Sequence, residues 1–228
     1  DRVVMAMWDG RTPRILFGLG TPGPGEYGLL DTPDGPALAR GRKALLPVSR
    51  LRLRGGHNHA NALAALAMIE ALGLEPRHCL EALASFAGLP HRAEWVAERR
   101  GVQYINDSKG TNVGAAVAAI SGMDCPVVLV AGGDGKGADF APLVAAARER
   151  VRAAVLLGRD APLLEAALSG ACPTMRVADI ETAVAEAAQL AQPGDCVLLS
   201  PACASTDMYG DYRERGERFA VAARGLPA

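Results

Sequence analysis

The run Val127-Val128-Leu129-Val130-Ala131-Gly132-Gly133-Asp134-Gly135-Lys136-Gly137-Ala138-Asp139-Phe140 decides the fold. Its first half is continuously apolar, the pattern of a strand buried on both faces of a parallel sheet. Its second half is a glycine-rich turn with one Asp and one Lys, followed by a helix-like segment. In open α/β sheets ligands lie outside the carboxyl ends of the strands, where such turns sit. Small residues there allow close backbone approach, and backbone N–H groups can hold an anion. Lys136 adds a cation on a flexible stem. A plain strand-to-helix turn with a solvated Lys136 explains the same residues equally well.

The pattern repeats outward from this stretch. Further strands are expected at Val102–Ile105, Ala153–Leu157, Met175–Val177 and Cys196–Ser200. Helices are expected at Val113–Ser121, Phe140–Arg150, Pro162–Leu168, Ile180–Ala191 and Tyr209–Arg224. Alternation of this kind predicts a Rossmann-like α/β domain with a mostly parallel sheet. Two more strands end in small or polar residues. Ile105 leads into Asn106-Asp107-Ser108-Lys109-Gly110-Thr111-Asn112, which holds six polar residues; caps and turns account for one or two of them. Leu199 leads into Ser200-Pro201-Ala202-Cys203-Ala204-Ser205. Three such loops at one sheet edge would form a cleft. Cys203 reads as a small buried hydrophobe rather than a nucleophile, since no His is near it in sequence.

The first part of the chain reads differently. Val3–Trp8, Arg14–Phe17 and Leu45–Leu53 have strand character. An Ala-rich helix is expected over Asn58–Leu72, with Asn58 a candidate N-cap and Gly73 its stop. A shorter helix follows at Pro76–Phe86, and Gly88-Leu89-Pro90 is a candidate hinge. Gly18-Leu-Gly20-Thr-Pro-Gly23 matches a dinucleotide fingerprint but runs into prolines instead of a helix, so it reads as a turn. No G-x-x-x-x-G-K-[ST] phosphate loop is present.

Composition narrows the classes. The 228 residues are half hydrophobic but only 4 % aromatic, with 26 glycines and 15 prolines. That describes a turn-rich globular chain with an aliphatic core. The 24 basic and 25 acidic residues give a net charge of −1, which argues against disorder and against general nucleic-acid binding. Five cysteines without a C-x-x-C pair argue against a disulfide framework or zinc site and for a reducing compartment. There is no long apolar run and no signal-peptide pattern. The opening at Asp1, directly in a strand-like run, suggests the tail of something longer.

Five motifs, in this order and at these spacings, resemble those of the Mur ligases, in particular the glutamate-adding branch. They are Gly56-His57-Asn58-x-x-Asn61-Ala62-Leu63-Ala64-Ala65, Gly88-Leu89-Pro90-His91-Arg92, Asn106 to Asn112, Gly132-Gly133-Asp134-Gly135-Lys136, and Ser200 to Ser205. The resemblance spans essentially the whole chain. It implies two domains: residues 1–88, the C-terminal part of an α/β central ATP-binding domain, and residues 89–228, a Rossmann-like domain that binds the incoming amino acid. It implies an ATP- and Mg2+-dependent amide ligase that joins glutamate, usually the D isomer, to UDP-N-acetylmuramoyl-L-alanine through an acyl phosphate. Magnesium ligands would lie outside these residues, and the fragment alone would be inactive. Asn61 would contact adenine, Arg92 the ATP phosphates and Asp107 the ribose. Lys109, Thr111 and Lys136 would bind the glutamate carboxylates, helped by Ser205 and the backbone near Tyr212. Arg92, Lys109 and Lys136 are thus the candidate catalytic cations. Ala93 stands where the family usually has an aromatic, and Tyr212 replaces the usual Phe. The expected protein is a cytoplasmic monomer with no nucleic-acid or membrane partner. A non-catalytic Rossmann-like binding module, a related Mur ligase or folylpolyglutamate-synthase-like enzyme, and an L-glutamate-adding variant remain alternatives.

Overall fold

The computed structural model describes residues 2–53 and 55–227. The chain divides into two compact units, Asp1–Ala87 and Gly88–Ala228.

The first unit contains α1 (Arg2–Ala6), β1 (Tyr27–Thr32), β2 (Gly35–Arg40), β3 (Lys43–Pro47), α2 (Gly56–Ala71) and α3 (Leu80–Ser85). The three strands form an antiparallel meander in the order β1-β2-β3. Tyr27, Leu38 and Leu46 from the sheet pack with Leu63 and Leu66 of α2. The Tyr27 hydroxyl leaves this core to donate to Glu70 at 2.6 Å, which in turn pairs with Arg40.

Several local expectations are corrected here. The first segment is one helical turn, not a strand. Val3 and Met7 are exposed, and the segment has no place in the β1-β2-β3 sheet that could pair it as a strand. Arg14–Phe17 makes a single bridge, Phe17 to Tyr27, because the chain turns away at Gly18–Gly20. Pro47 ends β3, and Val48–Arg50 forms a 3-10 turn instead of more strand. Gly55, at φ 92°, caps α2, and Asn58 lies inside the helix. The glycine-rich run before β1 is a turn, as its prolines imply.

The second unit contains β4 (Glu94–Arg99), β5 (Val102–Asn106), α4 (Val113–Ser121), β6 (Val127–Gly132), α5 (Ala141–Arg150), β7 (Val151–Leu157), α6 (Ala161–Leu168), β8 (Thr174–Arg176), α7 (Ile180–Leu190), β9 (Cys196–Leu199) and α8 (Tyr212–Gly225). The sheet order is β4-β5-β9-β6-β7-β8. Five strands are parallel and β4 runs antiparallel to β5. One face packs on α4, α5 and α6 through Ile120, Leu143 and Leu164. The other packs on α7 and α8 through Val184 and Phe219. This is the Rossmann-like architecture expected, with β4 as an unexpected edge. The last helix starts at Tyr212 rather than Tyr209, because the Asp211 carboxylate accepts the N–H groups of Arg213 and Glu214.

At the amino end of the sheet, Asp195 is 2 % exposed. Arg152 holds it through Nε at 2.6 Å and Nη2 at 3.1 Å, and the Gln192 N–H adds a third bond at 2.9 Å. Burial opposes the charge, but the Arg152 and Gln192 hydrogen bonds and the Arg152 charge together hold its pKa below the ordinary Asp value. A depressed folded-state pKa adds stability above the unfolded value, and that stability is lost as pH falls through the folded one. Asp195→Asn is therefore expected to flatten the acid limb of the stability-versus-pH curve below the usual carboxylate range. Urea titrations at pH 7 and below 4 measure it; parallel curves for the two proteins reject the linkage. Among the described residues, no helix is long and apolar enough to cross a membrane.

Candidate functional site

Strand order sets where the site forms. The chain leaves β5, β6 and β7 into helices on one face, whereas β9, lying between β5 and β6, leads to α8 on the other. The connections after β9 and after its two neighbours consequently leave on opposite faces, the switch-point arrangement that favours a ligand at this edge.

Hydrogen bonds tie these loops together. Ser200 Oγ, after β9, donates to Asp107 Oδ2, after β5, at 2.8 Å. The Ala202 N–H donates to the Gly110 carbonyl at 3.0 Å. Asp134, after β6, exchanges backbone bonds with Ala204 at 3.0 and 2.8 Å. The loop after β7 joins them: Asp160 accepts the Gly135 N–H at 2.7 Å, and Arg159 pairs with Asp134 at 3.1 Å. Gly132 and Gly133 have φ of 128° and 127°, and a Cβ on either would meet backbone of Leu157 or Ala204. The loops pack this closely because glycine stands at both positions.

Most of the expected residues of the second unit collect at this edge. The His91 carbonyl accepts the Lys109 N–H at 3.0 Å, and the Ala93 N–H donates to Asp107 Oδ1 at 3.2 Å. These bonds bring the backbone of Arg92, whose side chain is exposed, alongside the Asp107–Lys109 loop. Lys109 Nζ lies 4.1 Å from the centre of the Tyr212 ring, a cation–π contact that holds the ammonium in place. Thr111 follows Gly110, which Ala202 anchors. Lys136 is exposed with φ 54°, and its N–H caps onto Asp134 Oδ1 at 2.9 Å. Ser205 is buried next to Ala204. The Tyr212 carbonyl accepts from Ser108 Oγ at 2.7 Å. Asn61 is the exception: it lies exposed on α2 in the first unit. The edge thus presents cations and hydroxyls, a set suited to carboxylates.

Two features escaped the sequence reading. Asn106 is fully buried and bonds His91 Nδ1, the Gly216 carbonyl and the Ser108 N–H. Arg215, on α8, is also buried and donates to Ser108, Gly132 and Cys203. Its position four residues before Phe219 places it on the buried face of the helix, which was the signal available. Cys203 is a buried spacer as expected: burial, reinforced by nearby Asp160, pushes its thiol up to about 12, far from reactive at neutral pH. Among the described residues, no three His, Cys, Asp or Glu side chains group to hold a metal.

A doubly covered, mostly parallel sheet with a switch point at β9 defines the second unit as a Rossmann-like domain, and its switch-point edge carries Lys, Thr and Ser. Residues 91–203 match the family described as Mur ligase, glutamate ligase domain. With the relatives that follow, this places the chain in the Mur ligase family. The chain is 55 % identical over 217 residues to a UDP-N-acetylmuramoylalanine–D-glutamate ligase of Aromatoleum aromaticum, covering 93 % of this chain and 47 % of that protein. A protein of the same name from Nitrosococcus oceani is 55 % identical over 216 residues, covering 94 % and 48 %. The chain therefore spans about half the length of these curated relatives. Among solved structures, a UDP-N-acetylmuramate–alanine ligase of Thermotoga maritima superposes with TM-score 0.60 at 19 % identity, covering 91 % of this chain and 47 % of that one. A bifunctional folylpolyglutamate synthase/dihydrofolate synthase of Yersinia pestis superposes with TM-score 0.58 at 24 % identity, covering 86 % and 45 %. These two establish the fold.

Proposed function

We propose that this chain is the amino-acid-binding portion of an ATP-dependent ligase that adds glutamate to UDP-N-acetylmuramoyl-L-alanine in peptidoglycan precursor synthesis, in the cytoplasm. The observation that carries the reading is the convergence of the three loops, with Lys109, Thr111, Lys136 and Ser205, on one sheet edge. Relatives that share half of its residues bear the name of that activity.

In this reading residues 1–88 are the end of the ATP-binding domain and residues 89–228 the amino-acid domain. Asn61 contacts adenine, Asp107 the ribose and Arg92 the phosphates. The folylpolyglutamate synthase neighbour was crystallised with AMPPNP and a manganese ion, which supports a nucleotide and divalent-metal requirement. No three His, Cys, Asp or Glu side chains group to hold a metal among the described residues; in this reading the magnesium ligands and the phosphate loop are expected in the half of the relatives that this chain does not span. The chemistry asks two things of the residues present. The glutamate carboxylates need fixed cations and hydroxyls, supplied by Lys109, Lys136, Thr111 and Ser205. The amine must then meet an activated acyl carbon in the right geometry, which is a gain from proximity. Arg92 offsets charge on the phosphates.

The test is phosphate release by the whole gene product with ATP, magnesium and UDP-N-acetylmuramoyl-L-alanine, supplying D- and L-glutamate separately. Release that depends on D-glutamate is expected. Dependence on L-glutamate alone moves the substrate assignment, and no dependence on either rejects the reading in favour of a non-catalytic binding module.

A further inference from the structure

Arg215 is a cation with 1 % of its surface exposed, and none of its hydrogen bonds goes to a carboxylate. Nε donates to Ser108 Oγ at 3.0 Å and Nη2 to the Ser108 carbonyl at 2.9 Å. Nη1 donates to the carbonyls of Cys203 at 3.2 Å and Gly132 at 3.3 Å. Burial drives its pKa down, to about 10, so it still carries its charge at neutral pH. Burying a guanidinium with no hydrogen-bonded carboxylate is expensive; the nearby Asp207 charge favours the cation without bonding it, and every hydrogen bond goes to a neutral oxygen.

The acceptors show what the charge is placed to do. Ser108 adjoins Lys109, Gly132 opens the turn that carries Lys136, and Cys203 stands two residues before Ser205. One guanidinium therefore sets the positions of all three loops. Through Ser108 Oγ, which accepts from Arg215 and donates to the Tyr212 carbonyl at 2.7 Å, it also sets the start of α8. Asp107, assigned to ATP, is on the same loop as Ser108 but has further anchors of its own. Asp107 is held by Ser200 Oγ and the Ala93 N–H, and its own N–H bonds the Leu199 carbonyl at 2.8 Å.

We propose that Arg215 is a positioning residue for the amino-acid carboxylates: it registers the Lys109, Lys136 and Ser205 loops against one another and places a fixed positive charge behind them. The proposal rests on the function argued above. A lysine in its place keeps the charge but cannot span the three loops, because the fork of donors is lost.

The experiment is steady-state phosphate release by the whole gene product and its Arg215→Lys and Ser108→Ala variants, with melting curves for each. For Arg215→Lys, the KM for glutamate is expected to rise about 10- to 100-fold, as for the loss of one to two charge-assisted bonds, while the KM for ATP stays within about twofold. Ser108→Ala, which removes one acceptor and the relay to Tyr212, is expected to move the glutamate KM in the same direction by less. A purely structural Arg215 lowers the melting temperature and the amount of active enzyme without separating the two KM values, and that result overturns the proposal. If Arg215→Lys does not fold, Ser108→Ala decides alone, an unchanged glutamate KM overturning it. Absence of glutamate-dependent release from the unsubstituted protein overturns the functional reading and this inference together. Release that is normal there and indifferent to both substitutions overturns this inference only.

Discussion

Gly133→Ala is expected to lower the melting temperature of the protein by on the order of 10 °C. Gly133 sits at φ 127°, and an added Cβ would strike the Ala204 carbonyl oxygen and lie 3.2 Å from the Cys203 Cβ. Both obstacles are near-rigid, since Ala204 is locked to Asp134 by two backbone hydrogen bonds. A side chain forced into such a backbone conformation costs about 1–3 kcal/mol, and overpacking adds about 1–3 kcal/mol more. A sum of about 4 kcal/mol is a large part of the 5–15 kcal/mol that holds an ordinary domain folded. At about 2–4 °C per kcal/mol for a chain of this size, the shift follows. Gly137→Ala is the control. Its φ of 74° is also positive, but nothing lies within 4 Å of the position a Cβ would take. It carries the conformational cost without the collision and is expected to shift the melting point by a few degrees only. Equal shifts for the two variants would falsify the close-packing argument.

The second large effect is on binding. Lys136→Ala is expected to raise the KM for glutamate about 10- to 100-fold with little change in kcat. Lys136 is exposed and its side chain braces no other element, so its removal costs the fold little. A charge-assisted hydrogen bond to a carboxylate contributes about 1.5–3 kcal/mol, and each 1.4 kcal/mol is about tenfold in affinity. A contact made equally in the ground and transition states appears in KM alone. Kinetics at varied glutamate and saturating ATP measure it, and an unchanged KM removes Lys136 from the site.

Much of the second unit was legible because parallel strands advertise themselves as unbroken apolar runs, and Gly, Asn and Asp punctuate their ends. Helix α4 was read to the residue, since Asn112 caps it through its side chain. Strand β4 was missed. Its apolar run is only Trp95-Val96-Ala97, between Glu94 and Glu98, too short to read as a strand. The available cue was the turn: Arg100 and Gly101, at φ 51° and 74°, make the two-residue hairpin that pairs Arg99 with Val102. In the first unit, three short strand-like runs were read alike, yet pairing decides such cases: Arg14–Phe17 makes one bridge to β1, and of Leu45–Leu53 only the part up to Pro47 joins a ladder. Of the site, the loops were visible as clusters of small and polar residues. Arg215 is distinguished only by its spacing from Phe219, because its residue type is the same as that of the solvent-facing Arg213 and Arg218 on α8.

The placement of β9 also constrains how the protein is made. β9 lies between β5 and β6 in space, yet it is the last of the six strands of this sheet to leave the ribosome. Before it emerges, the β4–β5 hairpin and the β6–β7–β8 block share no hydrogen-bonded border. Each keeps an apolar strand with an open edge, the kind of surface that recruits chaperones or sticks to other nascent chains. Translation through β9 closes those edges, and Arg215 on α8 then joins the loops that carry Lys109 and Lys136. Aggregation losses are therefore expected to concentrate in chains stalled between β8 and α8.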